Sequence, residues 1–167
     1  MTTWRNLRRI GAARLTPGAA LLPYREDLQE QLDWLAQEIE SLGGDAWVLP
    51  VTELSEADER RVRARMVADR NEEYRALTED AEAFLARRSA APVPANDYLT
   101  RLQVDKELLA LQRRFRKIRA RDYADASGRA AAAQAIDHSL VFRQGISPKL
   151  LPVTDADLHP AREADTP

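Results

Sequence analysis

Residues 12–51 read AARLTPGAALLPYREDLQEQLDWLAQEIESLGGDAWVLPV, and the punctuation of this stretch decides the fold. Two short apolar runs, 12–15 and 19–22, flank Thr16-Pro17-Gly18. Pro17 presets φ for a turn and Gly18 accepts a positive φ, so the runs predict a β-hairpin. Leu28, Leu32, Leu35, Ile39 and Leu42 then recur at helical spacing. Glu26 and Asp27 suit the positive end of that helix, Gly43-Gly44 ends it, and Trp34 is expected to widen its apolar face. Residues 46–51, with Trp47, Val48 and Leu49, read as a buried strand.

Upstream, Trp4, Leu7 and Ile10 stand at i, i+3, i+6 ahead of Gly11, which predicts a short amphipathic helix with a C-terminal stop. The order helix, strand, strand, helix, strand is that of a ferredoxin-like βαββαβ unit whose first strand is missing or supplied from elsewhere. That strand lies in the middle of the usual sheet, and without it backbone groups would be left unpaired. Either the true start lies upstream or another segment or chain is expected to fill the slot.

Downstream, Ser55 with Glu56 and Asp58 is an N-cap signal for a charged helix running to about Arg88, with Val67, Tyr74, Leu77, Ala81 and Phe84 on one stripe. Pro92 and Pro94 break it within residues 90–96. A second helix, about 97–123, carries Leu108, Leu111, Phe115 and Ile118 at 3, 4, 3 spacing, so the two are expected to pack as a long antiparallel hairpin. An Ala-rich helix follows over about 127–142. Pro148, Pro152, Pro160 and Pro167 then punctuate an acidic tail expected to be disordered. The expected class is α+β, helix-rich overall. Its organisation is a ferredoxin-like unit over 1–54, a helical extension packed on it over 55–145, and the tail over 146–167.

Several chemistries are excluded by inventory. Cysteine is absent, which removes disulfides, thiol nucleophiles and Cys-ligated zinc. The two histidines, His138 and His159, have no shared ligand spacing, so no metal is expected. Glu72-Glu73 and Glu79-Asp80 are adjacent helical acids with arginine neighbours, which reads as ion pairing rather than acid–base catalysis. Gly43-Gly44 closes a helix where a phosphate-binding loop would open one. The expectation is a protein with no cofactor and no catalytic centre. No apolar run approaches the roughly 20 residues of a membrane span, and no secretory signal follows Met1, so a soluble cytoplasmic protein with no membrane partner is expected. Trp4, Trp34 and Trp47 are read as core packing, with a ligand pocket as the alternative.

The formal charge of −2 conceals an asymmetry. Arg5, Arg8, Arg9, Arg14 and Arg25 all precede the first acid, Glu26, and residues 113–121 read RRFRKIRAR, six cations in nine residues. That basic helix is open to three readings: a solvated face, a nucleic-acid contact, or the complement of a partner's acidic groove. Arginine suits bidentate contact with phosphate and with oxyanions of similar shape. The candidate DNA- or anion-binding residues are therefore Arg5, Arg8, Arg9, Arg113, Arg114, Arg116, Lys117, Arg119 and Arg121.

Four stretches, WRNLRRIGAARL (4–15), GAALLP (18–23), LDWLAQEIESLGGDAWVL (32–49) and RRFRKIRARDY (113–123), together with Glu72-Glu73-Tyr74, resemble the amino-terminal domain family of the chromate-resistance protein ChrB. The resemblance implies a cytoplasmic bacterial protein linked to chromate resistance, since full-length members act as chromate-responsive transcriptional regulators. Members carry an apolar strand before the Trp-Arg helix and a second, carboxy-terminal domain, so a stand-alone version is expected here. Two functions follow as expectations. One is a homodimeric regulator whose basic surfaces contact DNA or an oxyanion such as chromate. The other is a helical interaction or dimerisation module without DNA binding.

Overall fold

The charged stretch after Ser55 forms one helix because its start is capped and its apolar stripe is covered on two sides. The Ser55 hydroxyl accepts from the Asp58 N–H at 3.1 Å, leaving α3, Glu56–Ala90, to run 35 residues. The computed structural model describes residues 2–90 and 97–146 and contains α1 (Thr2–Arg9), β1 (Ala13–Thr16), β2 (Ala19–Leu21), α2 (Glu26–Ser41), α3, α4 (Tyr98–Arg119) and α5 (Gly128–Ile146). The α+β, helix-rich class holds. The expected break at 90–96 and the expected tail fall almost wholly on residues 91–96 and 147–167, outside the described residues.

Helices α3, α4 and α5 make a three-helix bundle. Tyr74 and Leu77 of α3 pack with Phe115 and Ile118 of α4 and with Ala132 and Ile136 of α5. Phe84, Val104 and Leu108 extend the core toward the end of α3 and the start of α4. The antiparallel register of α3 and α4 is visible in three ion pairs, Arg88–Glu107, Asp80–Arg114 and Glu73–Arg121, which recur about every two turns along α3 and along α4 to just past its end. The Ala-rich helix, expected only to follow the hairpin, is the element most extensively packed on α3. Its alanines permit that approach. So does Gly128, where a Cβ would sit 3.0 Å from Asn71 Oδ1 and 3.1 Å from the Tyr74 Cβ. Asn71 Oδ1 in turn accepts the Gly128 N–H at 2.7 Å, capping α5 from the neighbouring helix.

The hairpin forms where Thr16-Pro17-Gly18 places it, pairing Ala13 with Leu21 and Arg14 with Ala20, with an irregularity between Arg14 and Thr16. Ala13, fully buried, lies with Met66 and Ala124. Leu7, Ala12 and Leu35 form a separate small core with Trp4, Leu32 and Ile39 against α1 and α2.

Two expectations require correction. Residues 46–51 form no strand, and the sheet among the described residues has two strands, not a ferredoxin-like four. In a βαββαβ sheet the last strand pairs with the first, and no strand precedes α1 among the described residues, so segment 46–51 has no edge to join. For the same reason its side chains are not core. Trp47 is 87% exposed and Trp34, on the outer face of α2, 67%, while Trp4 alone of the three packs into an apolar cluster.

Gly11, at φ +88°, links α1 to the hairpin, and a Cβ there would lie 2.8 Å from the Arg121 Cβ and 2.9 Å from its carbonyl oxygen. Gly43, at φ +82°, has nothing within 4 Å of that position. Gly43→Ala is therefore expected to lose only about 1 kcal/mol of stability, from backbone strain. Gly11→Ala adds steric crowding and is expected to lose about 3 kcal/mol. Urea denaturation of the two variants checks the order; equal losses would refute the crowding at Gly11.

Candidate anion-binding interface

An eight-residue helix is marginal alone, and its last carbonyls have no partner within the helix. In α1 those carbonyls are taken by the chain beyond α4. Arg121 Nη1 donates to the Arg8 oxygen at 3.2 Å and the Arg9 oxygen at 3.4 Å, and the Tyr123 hydroxyl donates to the Ile10 oxygen at 2.9 Å. A cation at a helix C-terminus also faces the negative end of the dipole. The other end of the Arg121 guanidinium, Nη2, meets Glu73 Oε2 at 2.6 Å, and Arg70 Nη1 reaches the same oxygen at 3.3 Å. Arg70 is 3% exposed. Burial lowers its pKa, Glu73 opposes that shift, and the nearby Arg121 charge adds to it. One turn of α3 thus supplies a carboxylate shared by two guanidiniums.

Beside it the Tyr74 hydroxyl donates to Asp122 Oδ2 at 3.2 Å, and Asp122 Oδ1 accepts the Ala126 N–H at 3.0 Å. Burial, and then the Asp122 charge, push the Tyr74 phenol far above its ordinary range, so it stays a donor. Glu73-Tyr74 and Arg121-Asp122, two of the sequence features quoted above, are therefore each other's partners in space.

The helical rotation of α4 sorts the remaining candidates. Arg114 is paired with Asp80 of α3, and Arg119 is half-buried. Arg113, Arg116 and Lys117 are exposed, as are Arg5, Arg8 and Arg9 on α1. Among the described residues, no carboxylate lies within ion-pair distance of these six. The two basic blocks meet at one place, because Arg121 at the end of the second holds the backbone of the first. Lys106, Leu109, Ala110, Arg113, Arg114 and Lys117 line a shallow groove of about 430 Å³ along α4. Lys106 was missed in the sequence because it lies outside the dense arginine run; the signal was the 106, 110, 113, 117 spacing along one helix face. The face offers positive charge and guanidinium donors for a polyanion, and alkyl stems between them. His138 is exposed on α5, and His159 lies outside the described residues.

The family model for the amino-terminal part of protein ChrB matches residues 1–147. Protein ChrB of Cupriavidus metallidurans is 36% identical over 74 residues, which is 44% of this chain and 22% of that relative, so the matched stretch spans under a quarter of the relative's length. No solved structure matches.

Arg121→Ala removes the clasp on α1 and leaves Glu73 with Arg70 alone. It is expected to lose about 2–3 kcal/mol, whereas Arg113→Ala, on the solvated face, should change stability by no more than about 0.5 kcal/mol. Denaturant titration distinguishes them, and equal small effects would show that Arg121 is not structural.

Proposed function

Because the chain belongs to the ChrB amino-terminal family, we propose that it is a cytoplasmic, non-enzymatic regulatory protein of chromate resistance, whose basic surface contacts DNA phosphates and whose effector is chromate or a related oxyanion. The observation that carries this reading is that two sets of exposed cations, without a carboxylate partner among the described residues, are tied together at one point of the fold. Arg5, Arg8 and Arg9 on α1 and Arg113, Arg116 and Lys117 on α4 are joined through the Arg121 clasp, and the groove of α4 adds Lys106. Phosphate contacts of this kind position a protein on a duplex without a spacing code of their own. Arg121 and Arg114 are engaged with Glu73 and Asp80 and so tie the surface to α3. Chromate, a tetrahedral dianion like phosphate, would compete for the same guanidiniums, which gives the effector a direct route to release.

A second reading has its own observation. Tyr98, Leu99, Leu102 and Leu109 are exposed along α4, which suits a helical protein–protein interaction module without DNA binding.

The test is fluorescence anisotropy of the protein with its own upstream promoter duplex and a scrambled duplex, at two salt concentrations, with and without chromate. With about five phosphates neutralised, affinity should fall on the order of several hundred-fold between about 50 and 200 mM salt. The Arg113→Ala/Lys117→Ala variant should weaken binding to both duplexes alike and flatten the salt slope by about two. Absence of binding at low salt would refute the regulator and leave the interaction module.

A further inference from the structure

Residues 26–59 contain eleven acids, Glu26, Asp27, Glu30, Asp33, Glu38, Glu40, Asp45, Glu53, Glu56, Asp58 and Glu59, and not one lysine or arginine. Three have a cation near them, Asp27 with Arg25, Glu56 with Arg60 and Asp58 with Arg61. For the other eight, the described residues supply none. Threaded through the same stretch are five large apolar side chains standing in solvent: Trp34, Leu42 (80% exposed), Trp47, Leu49 and Val51. Burial of Leu28 and Leu35 turns α2 so that Glu30, Asp33 and Trp34 are all exposed. Large apolar side chains left exposed among charges mark an interaction surface.

The opposite combination lies on α4. Leu99, Leu102, Lys106, Leu109, Arg113 and Lys117 all point away from the buried set Val104, Leu108, Phe115 and Ile118, and Leu99 to Lys117 spans about 27 Å of helix. Helix α2 with its 16 residues is about 24 Å long. Leucines interleave with cations on this face of α4, while carboxylates accompany Trp34 on α2 and Trp47 and Leu49 in the acidic segment that follows it. Among the described residues no ion pair joins the acids of α2 to Lys106, Arg113 or Lys117, and α2 packs on α1.

We propose that the occupant of the acidic aromatic face is a second copy of this chain, docking through its basic α4 face. Charge complementarity selects this occupant: among the described residues neither surface has a charge partner that covers it, and each is the complement of the other. If the two copies are related by a two-fold axis, the contact is made twice, acidic on basic and basic on acidic, which closes the assembly as a dimer. Two basic faces brought together would repel, so the pairing is specific in orientation as well as in partner. This inference stands apart from the DNA-binding reading, since its test contains no nucleic acid. Where both hold, duplex and second copy compete for α4.

The experiment is light scattering coupled to size exclusion on the intact chain, in low and in high salt. Twice the mass of one chain is expected in low salt, shifting to the single-chain mass near 1 M salt. Glu30→Lys/Asp33→Lys and, separately, Arg113→Glu/Lys117→Glu change only exposed positions, and circular dichroism confirms that each folds. Each alone should weaken the dimer on the order of a hundredfold. Mixed in equal amounts, the two variants regain complementary faces at both contacts and should form the mixed dimer. Trp47→Ser, also exposed, should weaken association without altering the fold. A single-chain mass in low salt, a dimer indifferent to both charge reversals, or reversed variants that stay apart on mixing would each overturn the proposal.

Discussion

The guanidinium of Arg121 is the point on which the amino-terminal third of the molecule depends. It links the C-terminus of α1, a carboxylate on α3 and the end of α4, and no other side chain described here reaches all three. Helix ends need partners for their carbonyls, and α1 is too short to persist on propensity. With Tyr123 taking the next carbonyl, a segment that would otherwise fray is fixed against the bundle. The close approach this demands explains Gly11, where a Cβ would meet the Arg121 stem.

Periodic segments were legible. The hairpin, α2, α3 and the existence of α4 and α5 all follow from spacing and breakers, because apolar faces at 3.6-residue intervals leave little choice of structure. What was not legible depended on partners. Segment 46–51 has strand composition, yet a strand needs a neighbour, and the described chain offers none. Large rings such as Trp34 and Trp47 usually pack in cores, but ring size says nothing about which side of a helix or which loop they occupy. The end of α4 came four residues earlier than its composition suggested, because Arg121 and Tyr123 leave the helix to serve α1. An alanine-rich helix gives almost no periodic signal, and its central place in the bundle shows only once Gly128 and Asn71 are seen together.

The same limit applies to charge. RRFRKIRAR reads as one basic block, but helical rotation divides it by role. Arg114 goes to Asp80 and Arg121 to Glu73, while Arg113, Arg116 and Lys117 face water. Composition cannot separate a strut from a contact surface, since both need a long cation. The pairing of Glu73-Tyr74 with Arg121-Asp122 was likewise hidden, because nothing in either stretch names residues 48 positions away.

That separation has a consequence for how the chain is made. The Arg8 carbonyl and the Arg121 side chain that satisfies it lie 113 residues apart. During synthesis the first helix leaves the ribosome long before the residues that hold it exist, and domains settle as their own contacts become available. The α3–α4 hairpin, whose partners are nearer in sequence, can close first. Helix α1 is thus held in place only once the end of α4 has arrived, and until then it waits with an arginine-rich surface.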